Sequence, residues 1–381
     1  MKIICTQENL NKGLSIVNNI AGKNVNLPIL NNVLIKVENK IITLLTTNLE
    51  IGVSCTIRGR VEEEGSFTIP AKLLTDFVSL LDKEQIEISS KDNEVMVSSK
   101  NHQAKIKGLP SDDFPLIPQV KKANPYLCDV QEFKKAASQV VFAITLNESR
   151  PEISGVLFDF NGQENKLTLV GTDSYRLAEK NIKLKKDNNF SSKIVVPLKT
   201  VQEIARILSS FKEEELGEEK EKEKNLEIYL SEENQILFFI DDVSLVSRII
   251  EGQYPEYKEI IPKTSKTQII VDRQNFINTI KTNSLFSQTG INGINLEFLP
   301  EAQEVKISSA NLQTGEGFSR LAGKIEGENN QITLNYRFLL DGLSNISTDE
   351  VLVEIIDRDT PCLIKSPSKE DYLYIIMPIR Q

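Results

Sequence analysis

"FTIPAKLLTDFVSLL", residues 67–81, runs from a short apolar strand through a proline into an amphipathic helix. The same order of strand and helix recurs in "IVVPLKTVQEIARIL" (194–208) and in "ITLNYRFLLDGLSNI" (332–346). Recurrence at this spacing predicts repeats of domain size. In the first copy, helical spacing predicts one apolar face packed on a sheet, formed by Leu73, Leu74, Phe77, Leu80 and Leu81.

Each repeat also opens with a strand and a helix. These helices follow Thr6, Asp129 and Asp272, whose side-chain oxygens suit the N-cap position. Alternating strands come after each helix, so the predicted unit is strand, helix, hairpin, strand, helix, hairpin. The predicted fold class is α+β: three similar domains, each with two helices packed on antiparallel sheets, at 1–120, 125–258 and 259–381. The six helices are expected at 7–20, 71–81, 131–144, 198–212, 272–283 and 336–346.

The composition is typical of a globular protein, with 40% apolar and 26% charged residues in 381. No apolar stretch reaches the roughly 18 residues of a membrane helix, so we expect a cytoplasmic protein. The four cysteines lie far apart and the chain has one histidine. We therefore expect no zinc site, no disulfide framework and no cofactor.

The sequence also offers little for catalysis. His102 lacks a serine or cysteine motif and is interpreted as a surface residue. Asp241 and Asp242, in "FFIDDVSLVSR", are interpreted as a two-residue hairpin turn. We therefore expect that the protein is not an enzyme.

Two segments favour binding instead. "GTDSYRLA" (171–178) is either a turn closed by an Asp173–Arg176 pair or the rim of a binding groove anchored by Tyr175 and Arg176. The carboxyl end, "YLYIIMPIRQ" (372–381), stays apolar almost to its last residue, so it is expected to be docked or to form a docking surface.

The net charge of the chain is −9, but the expected helices are positively charged. The expected helices hold ten basic and six acidic residues, a surplus of +4 that leaves −13 for the rest. A weakly basic helical surface predicts contacts to phosphates that carry no sequence information. The charged run at 211–224 is interpreted as a solvated loop. The basic residues are Lys12, Lys72, Lys134, Lys135, Lys199, Arg206, Lys212, Arg273, Lys281 and Arg337.

Together with the repeats, five segments carry a resemblance to a known family. They are "LPIL" (27–30), "GLPSDDFP" (108–115), "GTDSYRLA", "VSRIIEGQYPEY" (246–257) and "YIIMPIR" (374–380). In this order and spacing they resemble the bacterial sliding clamps, the DNA polymerase III beta subunits. The resemblance implies a non-catalytic processivity factor. Two chains would close head to tail into a six-domain ring that holds duplex DNA by enclosure.

The resemblance also implies site residues, carried over motif by motif. A pocket for apolar peptide tails of the replicative polymerase, the clamp loader and repair proteins would be lined by Ile153, Thr172, Tyr175, Arg176, Leu177, Pro255, Ile260, Ile291, Asn335, Phe338, Ile376, Met377, Pro378 and Arg380. DNA contacts would come from Lys23, Lys72, Arg150, Lys199 and Arg206. The seam between chains would join the basic edge 100–108 to the acidic segment 300–308, through Lys105, Ile106, Lys107, Leu285, Phe286, Glu301 and Glu304.

Some positions depart from the family pattern. Ser174 and Tyr175 stand where many relatives have Gly and His, and Glu259 stands where some have Arg. Two other classes of function stay open: a scaffold that binds only proteins, and an enzyme that uses Asp173 or Asp241. The first predicts no retention on closed circular DNA, and the second predicts turnover that alanine substitution abolishes.

Overall fold

The computed structural model describes residues 1–22, 26–91, 94–147, 149–185, 190–211, 224–369 and 371–380. Lys23 and most of the charged run, residues 212–223, lie outside the described residues. The chain divides into two compact units. The first contains residues 1–130 and 206–249, and the second contains residues 131–205 and 250–381.

The helices occur where the sequence predicts them, and most end a few residues earlier than expected. In chain order they are α1 (Gln7–Val17), α2 (Ala71–Ser79), α3 (Val130–Val141), α4 (Leu198–Ser210), α5 (Arg273–Ser284) and α6 (Tyr336–Ser344). Two of the predicted N-caps are confirmed. The side chain of Thr6 accepts a hydrogen bond from the Asn9 amide, and that of Asp272 accepts one from the Asn275 amide at 2.7 Å.

All strands pair in antiparallel fashion. Their bounds are β1 Lys2–Thr6, β2 Asn32–Glu38, β3 Ile41–Thr47, β4 Ile51–Ile57, β5 Arg60–Glu63, β6 Gly65–Pro70, β7 Gln85–Lys91, β8 Glu94–Ser98, β9 Gln103–Lys107, β10 Tyr126–Asp129, β11 Gly155–Asn161, β12 Lys166–Thr172, β13 Arg176–Lys183, β14 Ser192–Pro197, β15 Asn225–Ser231, β16 Gln235–Ile240, β17 Val243–Arg248, β18 Thr267–Asp272, β19 Gly293–Leu299, β20 Glu304–Asn311, β21 Gly315–Ala322, β22 Lys324–Gly327, β23 Asn330–Asn335, β24 Glu350–Ile355, β25 Cys362–Lys365 and β26 Tyr372–Ile376.

Each unit contains two sheets. In the first unit, a five-stranded sheet has the order β5-β1-β7-β8-β9 and an eight-stranded sheet has the order β10-β15-β16-β17-β4-β3-β2-β6. In the second unit, a nine-stranded sheet has the order β14-β11-β12-β13-β26-β25-β24-β18-β22 and a four-stranded sheet has the order β21-β20-β19-β23. The α+β class with antiparallel sheets is therefore confirmed.

The larger sheets join repeats that are separate in sequence. β4 of the first repeat pairs with β17 of the second, from Ile51↔Ser247 to Cys55↔Val243. In the same way β13 of the second repeat pairs with β26 of the third, from Arg176↔Ile376 to Lys180↔Tyr372. The strands of the second repeat are thus divided between the two units, because half of them belong to the sheet that includes strands of the first repeat and half to the sheet that includes strands of the third.

The predicted hairpins are too short. Each repeat instead has a three-stranded meander after both of its helices, for example β2-β3-β4 after α1 and β7-β8-β9 after α2. The third strand of the first meander is the alternating segment "IGVSCTI", Ile51–Ile57. This strand was missed because the polar segment before it resembles the end of a hairpin, whereas it is the turn that leads into one more strand.

The predicted apolar face of α2 is partly wrong. Leu74 and Leu81 are buried, but Leu73 is 53% exposed and Leu80 is 84% exposed. The buried face consists of Ala71, Leu74 and Val78, which lie one and two turns apart, so the helix is rotated relative to the prediction. Leu73 and the C-cap residue Leu80, seven positions apart, form an exposed apolar row along this helix.

The carboxyl end is docked, as the sequence indicates. β26 lies inside the nine-stranded sheet between β13 and β25, and the side chain of Tyr374 is fully buried. Its hydroxyl donates a 2.9 Å hydrogen bond to the Phe338 carbonyl of α6. Its ring lies against Gly342, where an added Cβ would come within 2.2 Å of the ring carbons. A glycine is therefore required at this helix position by close packing.

We expect Gly342→Ala to lower the free energy of unfolding by about 1–3 kcal/mol, measured by denaturant titration. Alanine favours a helix by about 1 kcal/mol over glycine, but the clash with a buried, hydrogen-bonded ring outweighs that gain. Gly22→Ala is the control, because an added Cβ there meets nothing within 4 Å. Equal stability of the two variants would contradict the packing of Tyr374 on α6.

Candidate functional site

The segment between β12 and β13 forms a tight turn. Thr172 Oγ1 donates a 2.7 Å hydrogen bond to the Arg176 carbonyl and accepts one from the Ser174 amide at 3.1 Å. Asp173 Oδ1 accepts bonds from the amides of Tyr175 and Arg176 at 3.0 and 3.1 Å. Ser174 has φ 76°, a left-handed conformation that glycine adopts without strain. The turn places Tyr175 in solvent, 65% exposed.

Arg176 connects this turn to α6. Its Nε bonds Asp173 at 3.0 Å and its Nη1 bonds Asp341 at 2.6 Å, while the guanidinium carbon lies 4.5 Å from the centre of the Phe338 ring. Burial alone would lower the pKa of Arg176, but the hydrogen bond to Asp341 and the nearby negative charges outweigh burial and raise it. The guanidinium therefore stays charged and holds the turn against the helix. The predicted Asp173–Arg176 pair is present.

The chain end is fixed to the same turn. The Met377 amide donates a 2.8 Å hydrogen bond to the Tyr175 carbonyl, directly after the Arg176↔Ile376 pair of the sheet. Two residues later, the Ile379 amide donates to the Thr333 carbonyl at 2.8 Å. The segment that carries Met377 thus runs from β13 to β23. Its side chains are only partly buried.

The floor beneath the turn is apolar. Ile153, Leu177, Tyr254, Tyr257 and Ile375 belong to one buried cluster. Tyr257 begins a single turn of 3₁₀ helix, Tyr257–Ile260, and its amide donates to the Pro255 carbonyl at 2.7 Å. The same turn carries Ile260, which is 41% exposed. A half-buried apolar surface is therefore bounded by the 173–175 turn, the linker after Gly252 and the chain end.

The structure brings most of the predicted pocket residues into this region. Thr172, Tyr175, Arg176, Leu177, Phe338, Ile376 and Met377 are linked by the contacts above, and Ile153 lies in the cluster below them. Asn335 accepts a hydrogen bond from the Arg337 amide and serves as the N-cap of α6. Ile291 and Arg380 line a neighbouring cavity of about 850 Å³, together with Thr333 and Ile379.

Sequence reasoning missed Tyr254, Tyr257 and Asp341. The two tyrosines pack edge to face, with ring centres 6.3 Å apart. Burial raises the pKa of Tyr254 and Tyr257. The signal was present, because two aromatic residues close together in a proline-bracketed linker need an apolar surface to cover them.

The predicted DNA-contacting residues differ in their surroundings. Lys199 on α4 is exposed and forms no ion pair or hydrogen bond among the described residues. Lys72 on α2 is exposed and pairs with Asp76 at 3.0 Å. Arg150 bonds Glu152 and the Ser174 hydroxyl, both at 3.1 Å, so it lies beside the pocket turn.

Arg206 has a structural partner. Its two Nη atoms donate to the carbonyls of Ser15 and Ile16, at 3.1 and 2.6 Å, near the carboxyl end of α1. A cation there satisfies carbonyls that the helix leaves unpaired and complements the helix dipole. The side chain that the sequence assigned to phosphate is thus engaged within the protein.

Helices adjoin one another within each unit. In the first unit, α1 packs on α2 and is bonded by Arg206 of α4. In the second, α5 packs on α6, and Gln139 of α3 donates a 2.6 Å bond to the Asn345 carbonyl at the end of α6. The observed helices carry nine basic and five acidic residues, so the surplus of +4 persists. Arg273 resembles Arg206, since it donates to the Thr348 carbonyl after α6 at 2.9 Å.

The predicted seam segments lie at different depths in their sheets. β9 is an edge strand with Lys105 and Lys107 exposed, while Ile106 is buried within its own unit. The predicted seam requires segment 300–308 to be a free edge, and this is wrong, because β20 pairs with β19 on one side and with β21 on the other. Leu285 is 74% exposed. Phe286 lies against Gly317, where an added Cβ would come within 2.6 Å of the ring.

The acidic seam residues are also placed. Glu301 is exposed in a short 3₁₀ helix, Pro300–Ala302. Glu304 bonds Arg320 of β21 at 2.8 Å. The edge strand next to Glu304 is therefore β21, which also carries Phe318, 66% exposed.

The structure also places the predicted hairpin turn and the four cysteines. Asp241 and Asp242 connect β16 to β17 as a two-residue turn, with Asp241 at φ 50°. Cys5, Cys55, Cys128 and Cys362 are buried, and burial raises the pKa of the Cys5 and Cys55 thiols to about 12. Within the described ranges, no three metal-binding side chains cluster and no helix is long and apolar enough to cross a membrane.

Comparison with known proteins accounts for almost the whole chain. Models of the N-terminal, central and C-terminal domains of the DNA polymerase III beta subunit match residues 1–118, 128–256 and 258–380. A beta sliding clamp of Staphylococcus aureus is 27% identical over 364 residues, which cover 93% of this chain and 92% of that protein.

Solved structures agree with these matches. The sliding clamp of Bacillus subtilis has a TM-score of 0.91 at 26% identity, covering 100% of this chain and 99% of the other. A sliding clamp of Bartonella birtlesii has a TM-score of 0.90 at 28% identity, covering 100% of both chains. The three similar domains predicted from the repeats and the clamp fold implied by the resemblance are confirmed, and the chain belongs to the DNA polymerase III beta subunit family of sliding clamps.

Proposed function

We propose that two copies of this chain close head to tail into a ring that encircles duplex DNA and tethers a replicative polymerase to it. One observation carries the proposal. Both large sheets are made in the same way, by pairing the last strand of one repeat with a strand of the repeat before it. β17, the last strand of the second repeat, pairs with β4, the third strand of the meander after α1. β26, the last strand of the third repeat, pairs with β13, the third strand of the meander after α3. One strand of each kind has no such partner within the part of the chain that the structure describes: β9, the last strand of the first repeat, and β21, the third strand of the meander after α5.

Pairing β9 of one copy with β21 of another repeats the internal joints. The resulting sheet would have nine strands, four from one chain and five from the other, like the nine-stranded sheet within the second unit. Each chain has one edge of each kind, so two copies satisfy both edges of both chains and close the assembly. The three domains at 1–120, 125–258 and 259–381 would then recur around the ring.

The side chains at these edges suit the joint. Lys105 and Lys107 on β9 would meet the acidic side chains of Glu301 and Glu304, the second of which bonds Arg320 of β21. Ile106 would support the edge from inside its own core. Leu285 and Phe318, together with the exposed row on α2, would supply the apolar centre that an interface needs.

The adjoining helices would line the DNA. Exposed lysines such as Lys199 and Lys72 would contact phosphates, and Arg150 would extend this surface. Lys23 would do the same from outside the described residues. The surplus of +4 per chain is small, which favours contacts that break and reform as the ring slides. DNA would be retained because it is enclosed, and no catalytic group is needed for this role.

The partner pocket would be the apolar surface around the 173–175 turn. It would accept the apolar side chains of short peptide tails from the polymerase, the clamp loader and repair proteins. The pocket residues of the sequence analysis would line it, with Pro378 in the chain end and Ile291 and Arg380 in the adjoining cavity. Tyr175, Ile260 and Met377 are its accessible apolar groups. A cytoplasmic location fits this role.

We expect the protein, loaded by a clamp loader onto nicked circular DNA, to remain bound at moderate salt and to leave when the DNA is cut. A closed ring retains DNA without relying on phosphate contacts, whereas electrostatic binding to phosphates weakens steeply with salt. Gel filtration of labelled protein on the circle, before and after linearisation, measures this. Release from the uncut circle would contradict the proposal that a ring encloses the DNA, and would favour a scaffold that binds only proteins.

Lys199→Ala and Arg206→Ala should act on different properties. Loss of Lys199 should remove one phosphate contact, so the slope of the logarithm of the binding constant for a short duplex against the logarithm of salt concentration should fall by about one. The free energy of unfolding should not change. Loss of Arg206 should lower the free energy of unfolding by about 1–2 kcal/mol, because α1 loses two hydrogen bonds to a charged group. Fluorescence anisotropy and denaturant titration measure the two effects. A stable Arg206→Ala protein with weakened DNA binding would reverse the assignment.

Deletion of residues 377–381 should abolish polymerase stimulation and leave the dimer intact, because β26 keeps both neighbours while the pocket loses Met377. Light scattering and a primer-extension assay measure the two properties. Leu285→Asp is the matched control, expected to yield monomers. A deleted protein that is monomeric would contradict the pocket assignment, and a dimeric Leu285→Asp protein would contradict the seam.

A further inference from the structure

The turn that precedes β4 reproduces the pocket turn of the second unit. Thr47 Oγ1 donates a 3.0 Å hydrogen bond to the Ile51 carbonyl and accepts one from the Leu49 amide at 3.0 Å. Asn48 Oδ1 accepts bonds from the amides of Glu50 and Ile51, at 3.0 and 2.8 Å. These are the four bonds of the Thr172 turn, donor for donor.

The correspondence continues in the backbone and in the paired strand. Leu49 has φ 76°, the same value as Ser174. The Arg248 amide donates to the Glu50 carbonyl at 3.3 Å, as the Met377 amide does to the Tyr175 carbonyl. The first unit therefore contains, entirely within itself, the arrangement of turn and strand end that borders the partner pocket in the second.

A cavity of about 420 Å³ opens beside this turn. Its volume lies within the range of pockets that bind small ligands and peptide side chains. Its lining includes Leu49, Ile51, Leu116, Ile117, Val246 and Arg248. Ile117 lies against Gly52, where an added Cβ would come within 2.7 Å of it, so the linker after β9 forms one wall.

Two of the apolar lining residues lack cover. Leu116 is 96% exposed and Leu49 is 53% exposed. A leucine at positive φ costs on the order of 1–2 kcal/mol relative to ordinary backbone, and here that strain presents an apolar side chain to solvent. Val246 belongs to the buried cluster below and the partly buried Ile117 packs against that cluster, so the cavity has an apolar floor and an apolar rim.

The charge at the rim selects the occupant. Arg248 is exposed and forms no ion pair among the described residues, unlike Arg176 of the first turn, which is held by two aspartates. A free guanidinium next to apolar walls suits a carboxylate. Glu50 also lines the cavity and disfavours a ligand with several acidic groups.

We propose that this cavity is a second peptide-docking pocket, which binds a short extended peptide with two or three apolar side chains and one acidic side chain that pairs with Arg248. The occupant class rests on the proposed function of the first pocket, whose construction it shares. One chain would then hold two partner peptides at once, and a partner with two such segments would gain affinity from linking them.

The test uses the full-length protein and a fluorescent hexapeptide that contains two leucines, one phenylalanine and one aspartate, with a photoreactive group. Isothermal titration should give two peptides per chain, and cross-links should map to residues 115–118 and 246–248 as well as to the first pocket. Arg248→Ala should weaken one class of sites about fivefold. The same variant should bind the peptide with asparagine in place of aspartate as the unmodified protein does.

Tyr175→Ser separates the two pockets. It should remove cross-links to the first pocket and leave those at 115–118. One peptide per chain, cross-linked only at the first pocket, would overturn the second pocket and leave the proposed function standing. No binding at either place would overturn both. Two sites that are both insensitive to Arg248→Ala would place the second site elsewhere and contradict the proposal.

Discussion

The pairing of strands from different repeats is the constraint on which the rest of this structure depends. A four-stranded sheet has two edges, and each exposed edge carries a row of unpaired amides and carbonyls. In this chain the pairs β4–β17 and β13–β26 remove such edges by joining consecutive repeats. The repeats cannot be rearranged without exposing these groups, so the order of the repeats determines which edges remain for another molecule.

The candidate site also depends on these joints. Wherever two repeats meet, a tight turn leads into one of the paired strands and the linker between repeats covers the apolar residues beside it. The Thr172 turn and the Thr47 turn share four hydrogen bonds because they occupy the same place in two joints. The two differ in charge: the first turn holds a buried arginine between two carboxylates, and the second leaves its arginine exposed.

In this molecule the distribution of charged residues between helices and the rest of the chain matters more than the net charge. The chain is acidic overall, yet its helices carry a surplus of +4. Arg206 bonds carbonyls of α1, and Arg273 bonds the Leu343 carbonyl of α6 and the Thr348 carbonyl after it, so fewer cations face solvent than a count of the sequence implies. A small positive surplus on the helices is consistent with a clamp that holds DNA by enclosure, since strong phosphate contacts would slow sliding.

The sequence by itself determined the repeats, the six helices, the α+β class and the family. The repeats, the helices and the class follow from local signals: N-cap residues, apolar spacing and a strand-to-helix segment that occurs three times. The family follows from the resemblance that five short segments carry. It also located the 173–175 turn and the docked chain end, because a turn motif and an apolar terminus are visible without coordinates.

Only the tertiary structure decided which face of α2 is buried, because Val78 and Leu73 are equally apolar and the sheet beneath selects between them. It also decided that β21 and not segment 300–308 is the free edge, since strand order is a non-local property. For the same reason only the tertiary structure showed that Arg206 bonds a carbonyl of α1, because residues 191 positions apart in sequence become hydrogen-bond partners only when the chain folds.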